Sequence, residues 1–481
     1  MRTLALVSLC ILMTACSTFG TTAKNYAIPT DNSPQLTSQP SISVSLASGL
    51  PLYLWNESLS HYEIHLVDPK TGADVPDYAP IVVSKNSQFT GTNTISVNGQ
   101  KIAIVASNGE YCYPSGGGTA CMGRADLLHV IDRNDWSDVT AALPGQGWVG
   151  LISFSPDVTK LALIYSNAKS NTIMLFDTNT GSLMAQQEIA FRPSLMGYTS
   201  DSGTLVLYGQ ALGTDPGISK PNPPRVILLD ALTLKVKWEQ TLTDVISGYW
   251  CVAKCDASYG EKTFADWAPA VVLASAHHKL YIVHADEERL TSVDLDTRAV
   301  KTVEIQKARS LIERVLSLNT IVAKAKGYSN GAFKTGVLSP DEARLYVVGQ
   351  KMSTALDANG EPQETNESLG LEVIQVANGE KLASAFSEAT WIKNTPNGTH
   401  LLLGNWGQGK INIIDTTNLK NVAELGPWEA VAAQTLNGEP ILLASQSGDS
   451  LTRLAVLDPQ TFHIIRTWSA QTSYAGWLSI P

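Results

Sequence analysis

The chain has 481 residues, of which 44% are hydrophobic and 16% are charged, and its 34 Lys and Arg against 44 Asp and Glu give a net charge of −10. This length and composition allow a large buried core and exclude a disordered or collagen-like chain. The acidic balance, with no run rich in Lys and Arg, excludes a protein that binds nucleic acid through its phosphates.

The first residues have the pattern of an export signal. A short basic start precedes residues 4–13, which are apolar but too few to span a membrane as a helix, and Thr14-Ala15-Cys16 follows. This pattern resembles a bacterial lipoprotein signal peptide. The resemblance implies cleavage before Cys16, lipidation (palmitate) of Cys16 and, because Ser17 follows it, a position in the outer membrane facing the periplasm if the host is Gram-negative. An ordinary secretory signal cut near Ala15 is the alternative.

The next segment predicts a tether. Residues 17–41 are rich in Ser, Thr, Pro and Asn and show no apolar period, which is typical of a flexible linker. The sequence therefore predicts a signal peptide over residues 1–15, a lipidated Cys and tether over 16–41, and a single folded domain over 42–481.

Apart from Cys10 in the signal segment and Cys16, four cysteines remain, and they agree with export to an oxidising compartment. Local disulfides Cys112–Cys121 and Cys251–Cys255 are the simplest of three possible pairings. A metal site that uses Cys251 and Cys255 is the alternative, but there is no CxxC and no His at ligand spacing nearby. We therefore expect no metal and no cofactor.

A repeated unit runs through the rest of the chain. A β-rich run that ends in Asp before a polar turn recurs at Asp68, Asp132, Asp177, Asp230, Asp294, Asp415 and Asp458, and a degenerate copy has Gln375 in the Asp position. Upstream of nearly every copy, a tight polar turn leads into a second apolar run, as in SPDVTKLALIY and SPDEARLYVVG. Each unit predicts four antiparallel strands, here called A, B, C and D, which is one propeller blade.

The repeats predict an all-β fold, a single β-propeller of eight four-stranded blades, with seven as the alternative if the copy at Asp68 or at Gln375 is decoration. The first copy lacks strand A, and the chain ends in a strand-like segment, residues 474–480, with no blade after it. We expect this C-terminal strand to complete the N-terminal blade and close the ring, because closure removes exposed strand edges.

These motifs resemble two propeller groups. The turns SPDVTKLALIY and SPDEARLYVVG resemble those of bacterial YVTN/WD40-like propellers, and DALTLKVKWE, around Trp238, is more weakly similar to the tryptophan-docking repeat of quinoprotein-like propellers. The resemblance covers residues 45–480 and implies architecture, not activity.

Insertions in the repeat all fall on one side. In a four-stranded antiparallel blade, the A–B and C–D turns lie on one rim, and the B–C and D–A connections lie on the other. The turns on the first rim are short, whereas the long segments belong to the second, which we call the loop-rich rim: residues 107–125, 210–224, 243–267, 306–334 and 350–370. Within one of them, residues 308–326 have apolar positions at helical spacing and predict an amphipathic helix.

Several side chains on the loop-rich rim are candidates for binding. They are Trp148, Trp250, Asp266, Trp267, His284, Asp286 and Trp428. Aromatic side chains could stack a flat ligand, although they could equally fill the space between blades. The acidic residues after His284 could bind a divalent cation, or form a solvated loop. The repeated Asp residues are expected to accept backbone N–H bonds in Asx turns.

The sequence therefore favours a lipid-anchored protein of the cell envelope whose loop-rich rim binds a partner protein or an envelope polymer, without chemistry of its own and with no nucleic-acid partner. The alternative is a propeller enzyme of the lactonase or quinoprotein type, with a metal or cofactor at the mouth of the central channel. No P-loop, nucleophile elbow, HExxH or EF-hand motif is present, and we assign no catalytic residue.

Overall fold

The computed structural model describes residues 50–56, 61–67, 74–75, 81–83, 88–96, 99–107, 110–115, 118–132, 135, 137–167, 170–211, 222–253, 263–307, 329–356, 362–385, 387–395, 397–405, 409–428, 430–436, 439–446, 452–470 and 476–477. Every regular element within these ranges is a β-strand. The all-β prediction is thereby confirmed. The signal peptide, the tether and the predicted helix at 308–326 lie outside the described residues.

Thirty-eight strands, numbered in chain order, form seven four-stranded sheets, one eight-stranded sheet and one two-stranded sheet among the described residues. In the first half of the chain, the four-stranded sheets are β4-β5-β8-β9 (Gln88–Ile95, Lys101–Ser107, Leu127–Asp132, Asp138–Ala142), β10-β11-β12-β13 (Trp148–Phe154, Lys160–Ser166, Asn171–Asp177, Leu183–Ile189) and β14-β15-β16-β17 (Phe191–Tyr198, Thr204–Ala211, Pro224–Asp230, Val236–Thr241). In the second half they are β20-β21-β22-β23 (Ala270–Ala274, Lys279–Val283, Arg289–Asp294, Val300–Glu304), β30-β31-β32-β33 (Trp391–Asn394, His400–Gly404, Ile411–Asp415, Asn421–Leu425) and β34-β35-β36-β37 (Ala430–Leu436, Glu439–Gln446, Thr452–Leu457, Ile464–Ala470).

The remaining four-stranded sheet joins the two ends of the chain. Its order is β3-β2-β1-β38, with β1 Leu50–Asn56, β2 His61–Val67, β3 Ile81–Val83 and β38 Gly476–Trp477. Strand β38 pairs antiparallel with β1, with Trp477 opposite Leu52. The predicted completion of the N-terminal sheet by a C-terminal strand is confirmed.

The eight-stranded sheet contains one four-stranded unit and additional strands. The unit is β25-β26-β28-β29 (Ser329–Leu338, Arg344–Leu356, Leu371–Gln375, Glu380–Ala385), and the additions are β18 (Gly248–Ala253), β19 (Thr263–Ala268), β24 (Gln306–Lys307) and β27 (Pro362–Ser368). The two-stranded sheet is the hairpin of β6 (Glu110–Ser115) and β7 (Gly118–Gly123).

The sheets stand side by side around a centre. Hydrophobic clusters lie between successive sheets from β4-β5-β8-β9 round to β34–β37, and a last cluster packs Val67 of β2 against Leu443 and Val456. The A strands of successive sheets contact one another, as β10 does with β4 and β14, so the A strands are innermost. The D strands are mostly exposed, as in β17 and β23, so they are outermost.

The short turns have the hydrogen bonds that the repeated Asp residues predict. The Oδ1 atom of Asp177 accepts the N–H groups of Asn179 and Thr180 at 2.9 and 2.8 Å, and Asp230, Asp415 and Asp458 accept equivalent bonds. These repeated aspartates therefore hold the C–D turns, which agrees with the Asx-turn interpretation.

The long segment 243–267 of the loop-rich rim contains regular structure. Strands β18 and β19 form an antiparallel hairpin, and β19 also pairs in parallel with the start of β25.

Candidate functional site

Three hairpins project from the loop-rich rim. The β6–β7 hairpin lies between a B strand and a C strand, the β18–β19 hairpin lies between a D strand and an A strand, and β27 folds back on an extension of the B strand β26. The described A–B and C–D connections on the opposite rim are short turns. The structure therefore places these three insertions on one rim.

Two of the insertions combine into one sheet above the β25-β26-β28-β29 unit. Strand β19 pairs in parallel with the start of β25, the start of β25 pairs with the end of β26, and that end pairs with β27. We call this arrangement of β18, β19, the first half of β25, the second half of β26 and β27 the rim sheet. Its two hairpins come from separate parts of the chain, residues 248–268 and 344–368.

Gly331 allows strand β19 to lie close to strand β25. This residue of β25 lies opposite Asp266 of β19 and has a φ of +151°. A Cβ atom at this position would lie 1.8 Å from the carbonyl oxygen of Asp266. Any residue larger than glycine would therefore force β19 away from β25.

Three predicted site residues lie on the rim sheet. Trp250 is on β18, while Asp266 and Trp267 are neighbours on β19, and all three side chains are partly exposed. Burial raises the pKa of Asp266 to about 6. A carboxyl group with such a pKa is partly protonated near neutral pH, so it can donate as well as accept a hydrogen bond.

His284 and Asp286 lie in the turn between β21 and β22. His284 is completely buried, its Nε2 lies 2.7 Å from the Thr291 hydroxyl oxygen, and its Nδ1 lies 4.0 Å from a carboxylate oxygen of Asp286. Burial lowers the pKa of His284, against the opposing effect of Asp286. The imidazole is therefore neutral at pH 7 and belongs to the packed interior.

The same turn is linked to the next sheet by ion pairs. The buried Lys381 Nζ lies 2.5 Å from Glu372 and 2.9 Å from Glu288. Burial would lower the pKa of Lys381, but the hydrogen bonds to Glu372 and Glu288 raise it above its usual value. Lys381 therefore pairs with one carboxylate of the acidic turn, while the side chains of Glu287 and Glu288 remain exposed to solvent.

The two predicted tryptophans outside the rim sheet, Trp148 and Trp428, differ in burial, and Trp391 resembles Trp428. Trp428 is 5% exposed and Trp391 is 9% exposed, and both pack in the cluster between the β30–β33 and β34–β37 sheets. Trp148 is partly exposed and lines a small open depression with Arg192, Pro193 and Ser166. Of these three indoles, only that of Trp148 is placed to contact a ligand.

The cysteines stabilise the hairpins of the rim. Cys112 and Cys121 form a disulfide between facing positions of β6 and β7, as predicted. Cys251 on β18 is also disulfide-bonded. Cys255 lies outside the described residues, so the Cys251–Cys255 pairing remains a prediction, and Cys16 lies outside them as well.

No three His, Cys, Asp or Glu side chains among the described residues come together in an arrangement that could hold a metal ion. Over the same ranges, no helix has the length and apolarity needed to cross a membrane.

Two basic residues that lie beside the predicted site residues were not predicted from the sequence. Lys381 lies in a D strand and Arg192 at the start of an A strand, and neither carries a motif. Arg192 could have been predicted from its place in the repeat, because the start of an innermost strand lies at the mouth of the channel.

Comparison with known proteins identifies the architecture. No protein-family model and no curated protein matches the sequence. Among solved structures, the chain is similar to a dihydro-heme d1 dehydrogenase, NirN, in complex with DHE, with a TM-score of 0.55 and 11% identity over 92% of this chain and 78% of that one. The chain is a β-propeller. At this identity, the likeness shows the fold alone.

Two further solved structures match less closely. A eukaryotic initiation factor gives a TM-score of 0.46 with 11% identity over 89% of this chain and 90% of that one. The hydrazine synthase of Kuenenia stuttgartiensis gives a TM-score of 0.41 with 12% identity over 80% of this chain and 96% of that one.

Proposed function

We propose that this protein is a lipid-anchored β-propeller of the cell envelope that binds a partner protein or envelope polymer through its loop-rich rim and acts as a scaffold without chemistry of its own. The observation that carries this proposal is the rim sheet, which joins two separate insertions above one unit of the ring. Neither insertion is needed to complete a four-stranded sheet. Such elaboration, placed on a rigid scaffold, is typical of a binding surface.

The proposal includes eight blades. They are the seven four-stranded sheets and the β25-β26-β28-β29 unit of the larger sheet. Seven hydrophobic clusters between successive units support this count. The proposed relationship of this chain to YVTN/WD40-like propellers rests on the turn motifs of the sequence alone.

The proposed location rests on the N-terminal sequence and the disulfides. A lipid on Cys16, followed by the polar tether of residues 17–41, would hold the propeller at a membrane surface. The Cys112–Cys121 disulfide agrees with an oxidising compartment such as the periplasm. If the host is Gram-negative, the anchor would lie in the outer membrane and face the periplasm.

The Gly331→Val variant tests the proposal without altering the ring sheets. The added side chain would clash with the β19 backbone and detach the rim sheet. We expect affinity capture of the native partner from the host envelope to fall about tenfold, a loss typical of a disrupted interface centre. Gly150→Ala is the control, because a Cβ there would meet no atom closer than 3.9 Å. Equal recovery of the same partner by both variants would contradict the proposal.

A further inference from the structure

The innermost strands have an unusual charge composition for an acidic protein. The eight strands β4, β10, β14, β20, β25, β30, β34 and β38 contain Arg192, Lys334 and Lys393 and no Asp or Glu. The whole chain, in contrast, has 44 acidic residues and a net charge of −10. The innermost strands themselves therefore carry only positive charges, in a chain that is negative overall.

Two of these cations have no partner among the described residues. Elsewhere in the described chain, cations form ion pairs, such as Lys160 with Asp157 and Arg225 with Glu239. Within the described ranges, no hydrogen bond or ion pair involves the Arg192 or Lys393 side chain. Unpaired cations inside a channel cost solvation energy that a bound anion can offset.

The surroundings of Lys393 indicate that it faces the channel. Its neighbours in β30, Trp391 and Ile392, pack into the clusters on the two sides of the sheet, whereas the Lys393 side chain is exposed. Because β30 is an innermost strand that contacts β25 and β34, the exposed Lys393 side chain lies near the centre of the ring and not on its outer surface. Desolvation by the surrounding protein lowers the pKa of Lys393, which agrees with a cation enclosed by protein walls.

Lys334 has a different environment. Burial lowers its pKa, but Glu372 and Glu288 raise it through their charges. This lysine is therefore partly compensated by Glu372 of its own sheet and by Glu288 of the neighbouring sheet.

The two uncompensated cations lie at different depths. Arg192 is the second residue of β14 and so lies at the loop-rich end, whereas Lys393 is the second-last residue of β30, close to the opposite rim. A strand rises about 3.3 Å per residue, so their backbone positions differ by roughly 15 Å along the channel. One small anion cannot contact both, but an elongated ligand with several anionic groups can.

We propose that the central channel binds an acidic polysaccharide segment that enters from the loop-rich rim. Arg192 contacts a carboxylate at the mouth, the Trp148 indole beside it contacts the face of a sugar ring, and Lys393 contacts a second carboxylate deeper in the channel. Cations that line a low-dielectric cleft also attract an anionic chain from solution. The mouth of this site lies on the loop-rich rim, but the site contains no residue of the rim sheet, so the titration below and the Gly331→Val test can fail separately.

The test is calorimetric titration of the lipid-free protein with hexagalacturonate at low salt, with maltohexaose as the neutral control. We expect saturable binding of hexagalacturonate alone, weakened by added salt. Arg192→Gln and Lys393→Gln should each weaken binding about tenfold, the usual effect of one lost charge-assisted hydrogen bond. Arg225→Gln removes one positive charge from the outer side of a blade and should change affinity less than about twofold.

Three results would overturn the proposal. They are no binding of hexagalacturonate by the unaltered protein, equal losses in the channel variants and in Arg225→Gln, and equal affinity for a poly-glutamate peptide, which would show that the sugar ring is not recognised. Thermal unfolding of each variant checks that the ring remains folded. Arg192 and Lys393 are exposed, so their substitution is expected to leave the melting temperature unchanged within a few degrees.

Discussion

We expect Asp266 to make the free energy of unfolding depend on pH. Burial raises its pKa from 3.8 to about 6, so the folded state holds this proton more tightly than the unfolded chain. The free energy of unfolding therefore falls as pH rises from about 4 to about 6 and is constant above that range. We expect Asp266→Asn to be more stable than the unaltered protein by about 1–3 kcal/mol at pH 8 and equally stable below pH 4, as measured by urea unfolding.

The matched control is Asp244→Asn, which changes an exposed carboxyl in the same D–A connection. Its effect on stability should be small at both pH values. A stability difference for Asp266→Asn that does not change between pH 4 and pH 8 would show that the carboxyl is not desolvated.

Asp230 represents the aspartates of the C–D turns. Its Oδ1 accepts the Thr233 hydroxyl at 2.9 Å and the Thr233 and Leu232 N–H groups at 2.9 and 3.1 Å. These bonds, with the Thr233 side chain first, lower its pKa to about 2. We expect Asp230→Ala to lower the free energy of unfolding by about 1 kcal/mol at pH 7 and Asp230→Asn by less, because the amide oxygen still accepts.

The pH dependence of this effect has the opposite sign to that of Asp266. A depressed pKa stabilises the fold above about pH 4 and this contribution is lost as pH falls through about 2. Chemical denaturation of both variants at pH 7 and pH 2.5 measures it. If Asp244→Ala lowered the free energy of unfolding as much as Asp230→Ala, the hydrogen bonds of the C–D turn would not be the cause of the loss.

At the scale of single elements, the sequence predicted the regular strands better than the insertions. Strands B and C follow from apolar runs and from the Asp that ends each C strand, because these features are local. The pairing of β19 with β25 depends on Gly331 and on contacts between distant parts of the chain, which no local pattern contains. The complete burial of His284, next to the exposed Glu287 and Glu288, likewise follows from packing that the local sequence pattern does not contain.

The β6–β7 hairpin predicts a local effect of disulfide loss. It is a separate two-stranded sheet joined by Cys112–Cys121, and such a hairpin is marginally stable alone. We expect the Cys112→Ser, Cys121→Ser double variant to increase hydrogen exchange and proteolysis within residues 110–123 while the melting temperature falls by no more than a few degrees. Loss of the whole cooperative transition would mean that the hairpin supports the ring.

At the scale of the whole molecule, the repeat predicted closure because the first copy lacks an A strand and the last segment lacks a blade. The structure supplies the missing strand as β38, paired with β1. The functional consequence could not be predicted in the same way, since the channel charge arises only when residues from separate repeats are brought to one axis. Arg192 and Lys393 are about two hundred residues apart in the chain.

Removal of residues 471–481 tests ring closure. Without β38, the β1 edge loses its partner, and an exposed strand edge promotes association. We expect the truncated protein to melt at least about 5 °C lower and to form oligomers in light scattering. A synthetic peptide of residues 471–481 should restore the monomer. An unchanged melting temperature and a monomeric truncated protein would contradict closure by this strand.

Photo-crosslinking in the native host from both rims tests whether the loop-rich rim is the binding face. Exposed positions Thr119 and Glu367 represent the loop-rich rim, and Leu232 represents the turns of the opposite rim. We expect a photoreactive residue to give the same discrete adduct from positions 119 and 367 and none from position 232. An adduct from 232 alone, or no adduct from either position on the loop-rich rim, would contradict this expectation.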